Sequence, residues 1–162
     1  MKLSVVYHSK TGNTKEMAEA IVTGMERVAG AAAKAFPIDG VDEAWIKESC
    51  GVVLGSPTYL ASVSGETKIW LDNCAGKLGL SGKLGGAFAT ANYVHGGGDL
   101  AIRLILDHLM VLGMLTYSGG GAYGKPVIHL GPVAVAGHLE EYRETFELYG
   151  ERMAKEAAVL FG

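Results

Sequence analysis

Six consecutive residues near the start of the chain, Ser9-Lys10-Thr11-Gly12-Asn13-Thr14, place three hydroxyls, an amide and an ammonium between a β-rich run and an amphipathic helix. The first backbone N–H groups of a helix have no partner within it, and the helix dipole favours negative charge at that end. Such a stretch is built to hold a phosphate. A helix cap rich in Ser and Thr is the other reading, but a cap needs only one such side chain. Hydroxyls and an amide, in place of a Walker lysine, suit a phosphate monoester that stays bound. Two later patterns imitate nucleotide motifs. Gly119-x-Gly121-x-x-Gly124 has dinucleotide spacing, and Gly119-x4-Gly124-Lys125 begins a P-loop. Both fail on context, because Lys125-Pro126-Val127 does not open a helix and Pro126 takes the required Ser/Thr position.

The elements that must position the first loop follow from periodicity. Lys2 to Tyr7 reads as a strand. Asn13 to Ala29 carries one apolar helical face through Met17, Ala18, Ile21, Val22, Met25 and Val28, with Gly30 as its stop. Ala32 to Ile38 reads as a second strand, Asp42 to Ser49 as a short helix, and Cys50 to Gly55 as a buried third strand. A loop from Ser56 to Gly65 leads to a helix over Glu66 to Asn73. Leu84 to Ala91 is a fourth strand that opens into the glycine-rich Asn92 to Gly98. Asp99 to Leu112 is a helix apolar almost all round, Met114 to Tyr117 a fifth strand, and Leu139 to Leu160 the last helix. Ser118 to His138, rich in glycine, has no clear element. Five strands, each followed by a helix, give a doubly wound five-stranded parallel sheet in one domain over 1–162. Ligands of such sheets sit beyond the carboxyl ends of the strands, at the switch in strand order.

Composition narrows the partners. The 162 residues are 49% hydrophobic and 19% charged, with a net charge of −3, which excludes disorder and disfavours a nucleic-acid surface. No apolar run reaches the roughly 20 residues that span a bilayer, and Met1-Lys2 leads straight into a strand, so a cytoplasmic protein without a membrane partner is expected. Cys50 and Cys74 have no metal or redox spacing, and Cys50 is expected in the core. His8, His108, His129 and His138 show no metal-ligand spacing either and are expected in structural or surface roles, while Trp45 and Trp70 are expected to pack. The 24 glycines are about twice the usual share, so loops with close backbone approaches are expected.

Ser9 to Thr14 resembles the loop that holds the FMN phosphate in the flavodoxin-like superfamily. Three further segments are similar to WrbA-type NAD(P)H:quinone oxidoreductases: Ser56-Pro57-Thr58-Tyr59-Leu60-Ala61-Ser62-Val63-Ser64-Gly65, Asn92-Tyr93-Val94-His95-Gly96-Gly97-Gly98, and Gly121-Ala122-Tyr123-Gly124. The resemblance covers nearly the whole chain and implies strand order 2-1-3-4-5 and FMN as cofactor. Tyr59 and Leu60 stand where that group has an Arg-Phe pair, and its extra segment after the fourth strand is missing or shortened. A flavin ring needs aromatic surface against its face and hydrogen-bonding groups along its polar edge. Tyr59 could pack on the ring and Thr58 bond its polar rim, while Gly96, Gly97 and Gly98 let backbone N–H groups approach its oxygens. Tyr93 is a second stacking candidate or an exposed loop tyrosine. His95 is a donor to ring or substrate, or a solvent-facing loop histidine. Tyr123 is a candidate for the substrate mouth. The cofactor-binding set expected is therefore Ser9, Lys10, Thr11, Gly12, Asn13, Thr14, Pro57, Thr58, Tyr59, Leu60, Asn92, Tyr93, Val94, His95, Gly96 and Gly97, with no protein acid–base dyad.

Three function classes remain: an FMN enzyme taking hydride from NAD(P)H to a small oxidant such as a quinone, an electron carrier, and a phosphate-binding module without redox chemistry. Carriers of this superfamily resemble one another in being strongly acidic around the flavin, whereas the loops at Ser56–Gly65 and Asn92–Gly98 hold no acidic residue at all. A neutral mouth favours the enzyme, with ping-pong turnover. The apolar Asp99 to Leu112 helix points to a homodimer or homotetramer.

Overall fold

The computed structural model describes residues 1–162. The strands are β1 (Lys2–Tyr7), β2 (Ala32–Pro37), β3 (Gly51–Tyr59), β4 (Ser62–Val63), β5 (Leu84–Ala91), β6 (Leu115–Thr116) and β7 (Val133–Val135). The helices are α1 (Asn13–Met25), α2 (Glu43–Glu48), α3 (Gly65–Asn73), α4 (Gly98–Val111) and α5 (Leu139–Phe161), with a 3-10 turn at Ala75–Lys77. The sheet order is β2-β1-β3-β5-β6, the parallel order 2-1-3-4-5 of the sequence reading with a fourth and fifth strand renumbered, and β4 and β7 lie off that path.

Strand residues alternate between two cores because helices cover both faces. Leu3, Val5, Val53 and Phe88 face α1 and α5, where they pack with Met17, Ile21, Phe146 and Tyr149. Val6, Val52, Leu54, Ala87 and Ala89 face the other way, onto Ile46 of α2, Trp70 of α3 and Ile102, Ile105 and Leu109 of α4. Phe88 and Phe146 meet edge to face at 5.8 Å, an arrangement worth about 0.5–1.5 kcal/mol beyond area burial. Helices α1 and α5 cross on glycines: a Cβ on Gly24 would lie 1.7 Å from the Glu147 carbonyl oxygen, and one on Gly150 2.0 Å from that of Ile21.

Four expectations need correction. Helix α1 ends at Met25, and turns closed by Arg27 N–H to Gly24 O and Val28 N–H to Met25 O carry the chain to Gly30. The third strand runs on to Tyr59 and folds back as β4. The fifth strand is split: β6 pairs with Leu84 and Gly85, β7 with Ala89 to Ala91, and residues 117–132 make an excursion between them. Cys50 is only half-buried, its thiol donating to the Lys2 carbonyl at 3.3 Å. The tryptophans do pack: Trp70 is buried, and Trp45 donates Nε1–H to the Leu3 carbonyl at 3.1 Å with Lys2 and Lys34 over its ring. Helix α4 buries Ala101, Ile102, Ile105, Leu106 and Leu109, while Leu100, Met110 and Val111 stay exposed. No helix is long and apolar enough to cross a membrane.

Candidate functional site

β1 and β3 run parallel in register to Tyr7 and Gly55, and His8 N–H still reaches the Gly55 carbonyl at 3.2 Å. Beyond that point the two chains leave in different directions, which opens a crevice at the switch point. Gly12, at φ 96°, is the N-cap of α1, and no side chain caps the helix. The capping explanation for the hydroxyl-rich loop is therefore excluded. The first helical bond runs from Glu16 N–H to Gly12 O at 2.9 Å, so the N–H groups of Asn13, Thr14 and Lys15 have no intrahelical acceptor. Ser9 Oγ is buried without any partner. A cavity of about 180 Å³ lies over these groups, lined by Lys10, Thr11, Asn13 and Thr14 on one side and by Pro57, Thr58, Tyr59, Thr90, Ala91 and Asn92 on the other.

The second wall is a hairpin that sequence periodicity missed. Thr58 pairs with Val63 and Tyr59 with Ser62, leaving Leu60 (φ 50°) and Ala61 (φ 60°) as the two turn residues. Two-residue hairpin turns of type I′ need positive φ at both places and normally use Asn or Gly. Neither residue here is of that kind, so the turn carries strain of about 1–2 kcal/mol per residue. Gly97, at φ 87°, caps α4 and abuts this turn, since a Cβ there would lie 2.6 Å from the Ala61 Cβ. The contact holds the hairpin against the Asn92–Gly98 loop. Between them lies a second cavity of about 430 Å³, lined by Thr58, Tyr59, Leu60, Ala91, Asn92, Tyr93 and Gly96. It shares Thr58, Tyr59, Ala91 and Asn92 with the first. Thr58 Oγ1, like Ser9 Oγ, is buried without a partner.

Most of the expected residues thus converge. Ser9 and Gly12 flank the lining residues of the first cavity in sequence without being among them, while Val94 and His95 are exposed at a loop tip outside both. The Gly96 N–H is already spent on the Tyr93 carbonyl at 2.9 Å, so it is not free for a ligand. Tyr123 lies away from the cavities, its hydroxyl bonded to Tyr117 at 3.1 Å and its ring under Arg152. Thr90 was missed. Its hydroxyl pairs with that of Thr14 at 2.8 Å and joins the end of β5 to the start of α1. Position alone could have found it, as the penultimate residue of a strand ending at the switch point. The largest concavity, about 490 Å³, is elsewhere, between residues 127–133 and α5, and no unpartnered buried side-chain atom faces it among its lining residues.

The lining residues include no carboxylate and one cation, Lys10. Its ammonium lies 3.2 Å from the exposed Glu66 carboxylate. That carboxyl is held below its ordinary range, first by its own backbone N–H and then by Lys10. Tyr59 and Tyr93, 40% and 74% exposed, give the second cavity an open aromatic rim.

A phosphate monoester in the first cavity and a planar ring with a polar edge in the second would match the orphaned Ser9 and Thr58 hydroxyls and use the rim tyrosines. FMN fits this donor set. The family model for NADPH-dependent FMN reductase matches residues 43–125. A flavodoxin from Clostridium saccharobutylicum is 45% identical over 161 residues, covering 99% of this chain and 100% of its own. An NAD(P)H dehydrogenase (quinone) from Paraburkholderia phymatum is 32% identical over 204 aligned positions, covering 99% of both chains, so it carries segments that this chain lacks. The crystal structure of a flavodoxin, WrbA-like protein from Agrobacterium tumefaciens has a TM-score of 0.82 at 24% identity, covering 98% of each chain. On the parallel order and these likenesses together, the chain belongs to the flavodoxin-like superfamily of FMN-binding proteins, alongside the NADPH-dependent FMN reductases.

Proposed function

We propose that the protein is an oxidoreductase that transfers a hydride from NAD(P)H, through FMN, to a small uncharged oxidant such as a quinone. The balance is NAD(P)H, a proton and quinone giving NAD(P)+ and hydroquinone. The observation that carries this reading is the mouth itself: wide, rimmed by Tyr59, Leu60 and Tyr93, all exposed, and free of carboxylates among its lining residues. Such a rim offers flat apolar surface to a nicotinamide or quinone ring and no acidic collar to steer a basic protein. The 32% identical relative named as a quinone dehydrogenase supports it.

FMN, when bound, supplies the hydride-accepting ring, and the protein's part is to hold, orient and shield it. The Asn13, Thr14 and Lys15 N–H groups, with the hydroxyls of Ser9 and Thr11 and the Lys10 ammonium, bind the phosphate. Thr58 bonds the polar rim of the ring, Tyr59 and Tyr93 pack on it, and Asn92 closes the side between the two cavities. No protein acid or base is needed. Both substrates use one mouth, so turnover is ping-pong. The exposed Leu100, Met110 and Val111 of α4 favour a homodimer or homotetramer. Light scattering then gives a multiple of the 17.0 kDa protomer mass, and the protomer mass itself refutes association.

One specific observation favours a second reading, an electron carrier: the full-length 45% identity to a protein named flavodoxin. Anaerobic stopped-flow mixing separates the two. NAD(P)H should bleach the flavin within a turnover time of seconds or less and a quinone should restore the colour; a flavin that NAD(P)H leaves oxidised over minutes is a carrier's.

A further inference from the structure

His8 stands immediately before the phosphate loop, and the FMN chemistry above gives it no role. Its ring Nδ1 lies 2.8 Å from Ser64 Oγ. Ser64 caps α3 and shares a fully buried cluster of hydroxyls with Ser56 and Thr67. Counting protons fixes the direction of every bond in it. The Ser56 hydroxyl donates to the Pro57 carbonyl at 2.8 Å. Ser56 Oγ can then only accept, from Ser64 N–H at 3.0 Å and from the Thr67 hydroxyl at 3.1 Å. Thr67, its proton spent, must accept from the Ser64 hydroxyl at 2.9 Å. Ser64 Oγ has no proton left, already accepts from Thr67 N–H at 3.1 Å, and has one lone pair free. His8 must fill it as a donor. The neutral ring is therefore the Nδ1–H tautomer, with Nε2 turned away from the cluster.

This chain of bonds runs from the residue before Ser9 to the residues on either side of the hairpin that carries Thr58 and Tyr59. We propose that His8 is a positioning residue for FMN: through its Nδ1–H bond to Ser64 it sets the phosphate loop and the hairpin at the separation that one FMN spans. The inference rests on the assignment of the two cavities to the phosphate and the ring. Its signature is specific. A group that sets the spacing of two subsites weakens a ligand that bridges them and leaves ligands of either subsite alone nearly untouched.

The test uses the full-length protein stripped of flavin, with FMN and riboflavin binding followed by flavin fluorescence and inorganic phosphate by competition against FMN. Asn at position 8 can present its Nδ2–H where the imidazole presents Nδ1–H, whereas Gln places its donor at the Nε2 position and Phe keeps the ring without a donor. His8→Asn should hold FMN within about twofold of wild type, and His8→Gln and His8→Phe should weaken it about tenfold, the worth of one bond plus an unfilled acceptor. Thr67→Val should weaken it likewise. Riboflavin and phosphate affinities should move by less than about twofold in all four. Equal behaviour of Asn and Gln, or a loss for FMN matched by riboflavin and phosphate, overturns the proposal. So does a ¹⁵N spectrum of the unsubstituted protein showing the Nε2–H tautomer for neutral His8, a measurement that needs no variant to fold. A double Ser9→Ala, Thr11→Ala variant separates the two levels. If it leaves FMN and phosphate binding intact, the cavity assignment fails and the inference with it; if it weakens both while His8→Phe binds like wild type, only the role of His8 falls.

Discussion

The regular strand–helix alternation breaks at two places, and they break differently. At the carboxyl ends of β1 and β3, loops turn away from the sheet and leave Ser9 Oγ and Thr58 Oγ1 buried without partners. On the outer edge, the split between β6 and β7 should leave the middle of β5 equally bare. It does not. The Ala87 N–H takes the Tyr149 hydroxyl as its acceptor at 3.1 Å. Gly86 has no side chain where that hydroxyl sits, 2.3 Å from where its Cβ would be. Ahead of the gap Tyr117 N–H reaches the Gly85 carbonyl at 2.8 Å, and beyond it Ala89 N–H reaches that of Pro132 at 3.1 Å. Buried Arg152 holds the excursion from below through the Pro126 carbonyl at 3.0 Å, although its Nε finds no acceptor. An irregular segment is therefore not in itself a site. The backbone at the edge break is closed by the protein's own groups, whereas the switch-point break leaves two buried hydroxyls unmatched.

That contrast can be broken by substitution. Gly131→Ala should have the largest effect, because a Cβ there would lie 2.0 Å from the Ala87 carbonyl oxygen and the backbones would have to part. Urea unfolding should show a loss of about 3 kcal/mol; a loss under about 1 kcal/mol would mean the edge is looser than described. Tyr149→Phe should cost about 1–3 kcal/mol by orphaning the Ala87 N–H, with FMN affinity unchanged in calorimetric titration. Thr58→Val should behave in the opposite sense. Stability without flavin should hold or rise, since an unmatched buried hydroxyl is removed, while FMN binding weakens by about 1 kcal/mol. If Thr58→Val destabilises the flavin-free fold as Tyr149→Phe does, the distinction between the two regions collapses. Glu66→Gln should have the smallest effect, a rise in FMN affinity as Lys10 is released toward the phosphate, and added salt should erase it within the Debye-length range. Because the Glu66 carboxyl is depressed in the folded protein, its pair with Lys10 is intact above the ordinary carboxylate range and is lost as pH falls through the lowered value. Wild type should therefore approach the variant in acid.

The contrast also explains what could be read from the sequence. Leu84 to Ala91 is a strand to the residue, because a run buried on both faces has little freedom in its ends. The hydroxyl-rich stretch Ser9 to Thr14 could be singled out because its polar groups lie within six adjacent residues. The β4 hairpin was not, since Leu60-Ala61 carries none of the residues that usually mark a primed turn. Nor was β7, whose Val133–Val135 pairing depends on β5 and leaves no local signal between Pro132 and Gly137. Thr90 was missed because its partner Thr14 lies 76 positions away, and the Ser56–Ser64–Thr67 cluster, though local, was missed because it depends on the unmarked hairpin that folds Ser64 and Thr67 back onto Ser56.

The split of the fifth strand has a consequence for how copies of the chain meet in a crowded solution. An edge strand offers a row of free backbone groups on which another molecule's strand can add, the first step toward aggregation. Here that edge is broken into pieces of two and three residues, β6 and β7, with the 117–132 excursion lying between them. No continuous template of ordinary strand length remains. The opposite edge, β2, is longer but carries the exposed Lys34 and ends at Pro37, which has no N–H to give. A chain that is nearly half hydrophobic is thus guarded on both sides of its sheet against growing by strand addition, and an insertion that regularised the fifth strand should be read first for its effect on solubility.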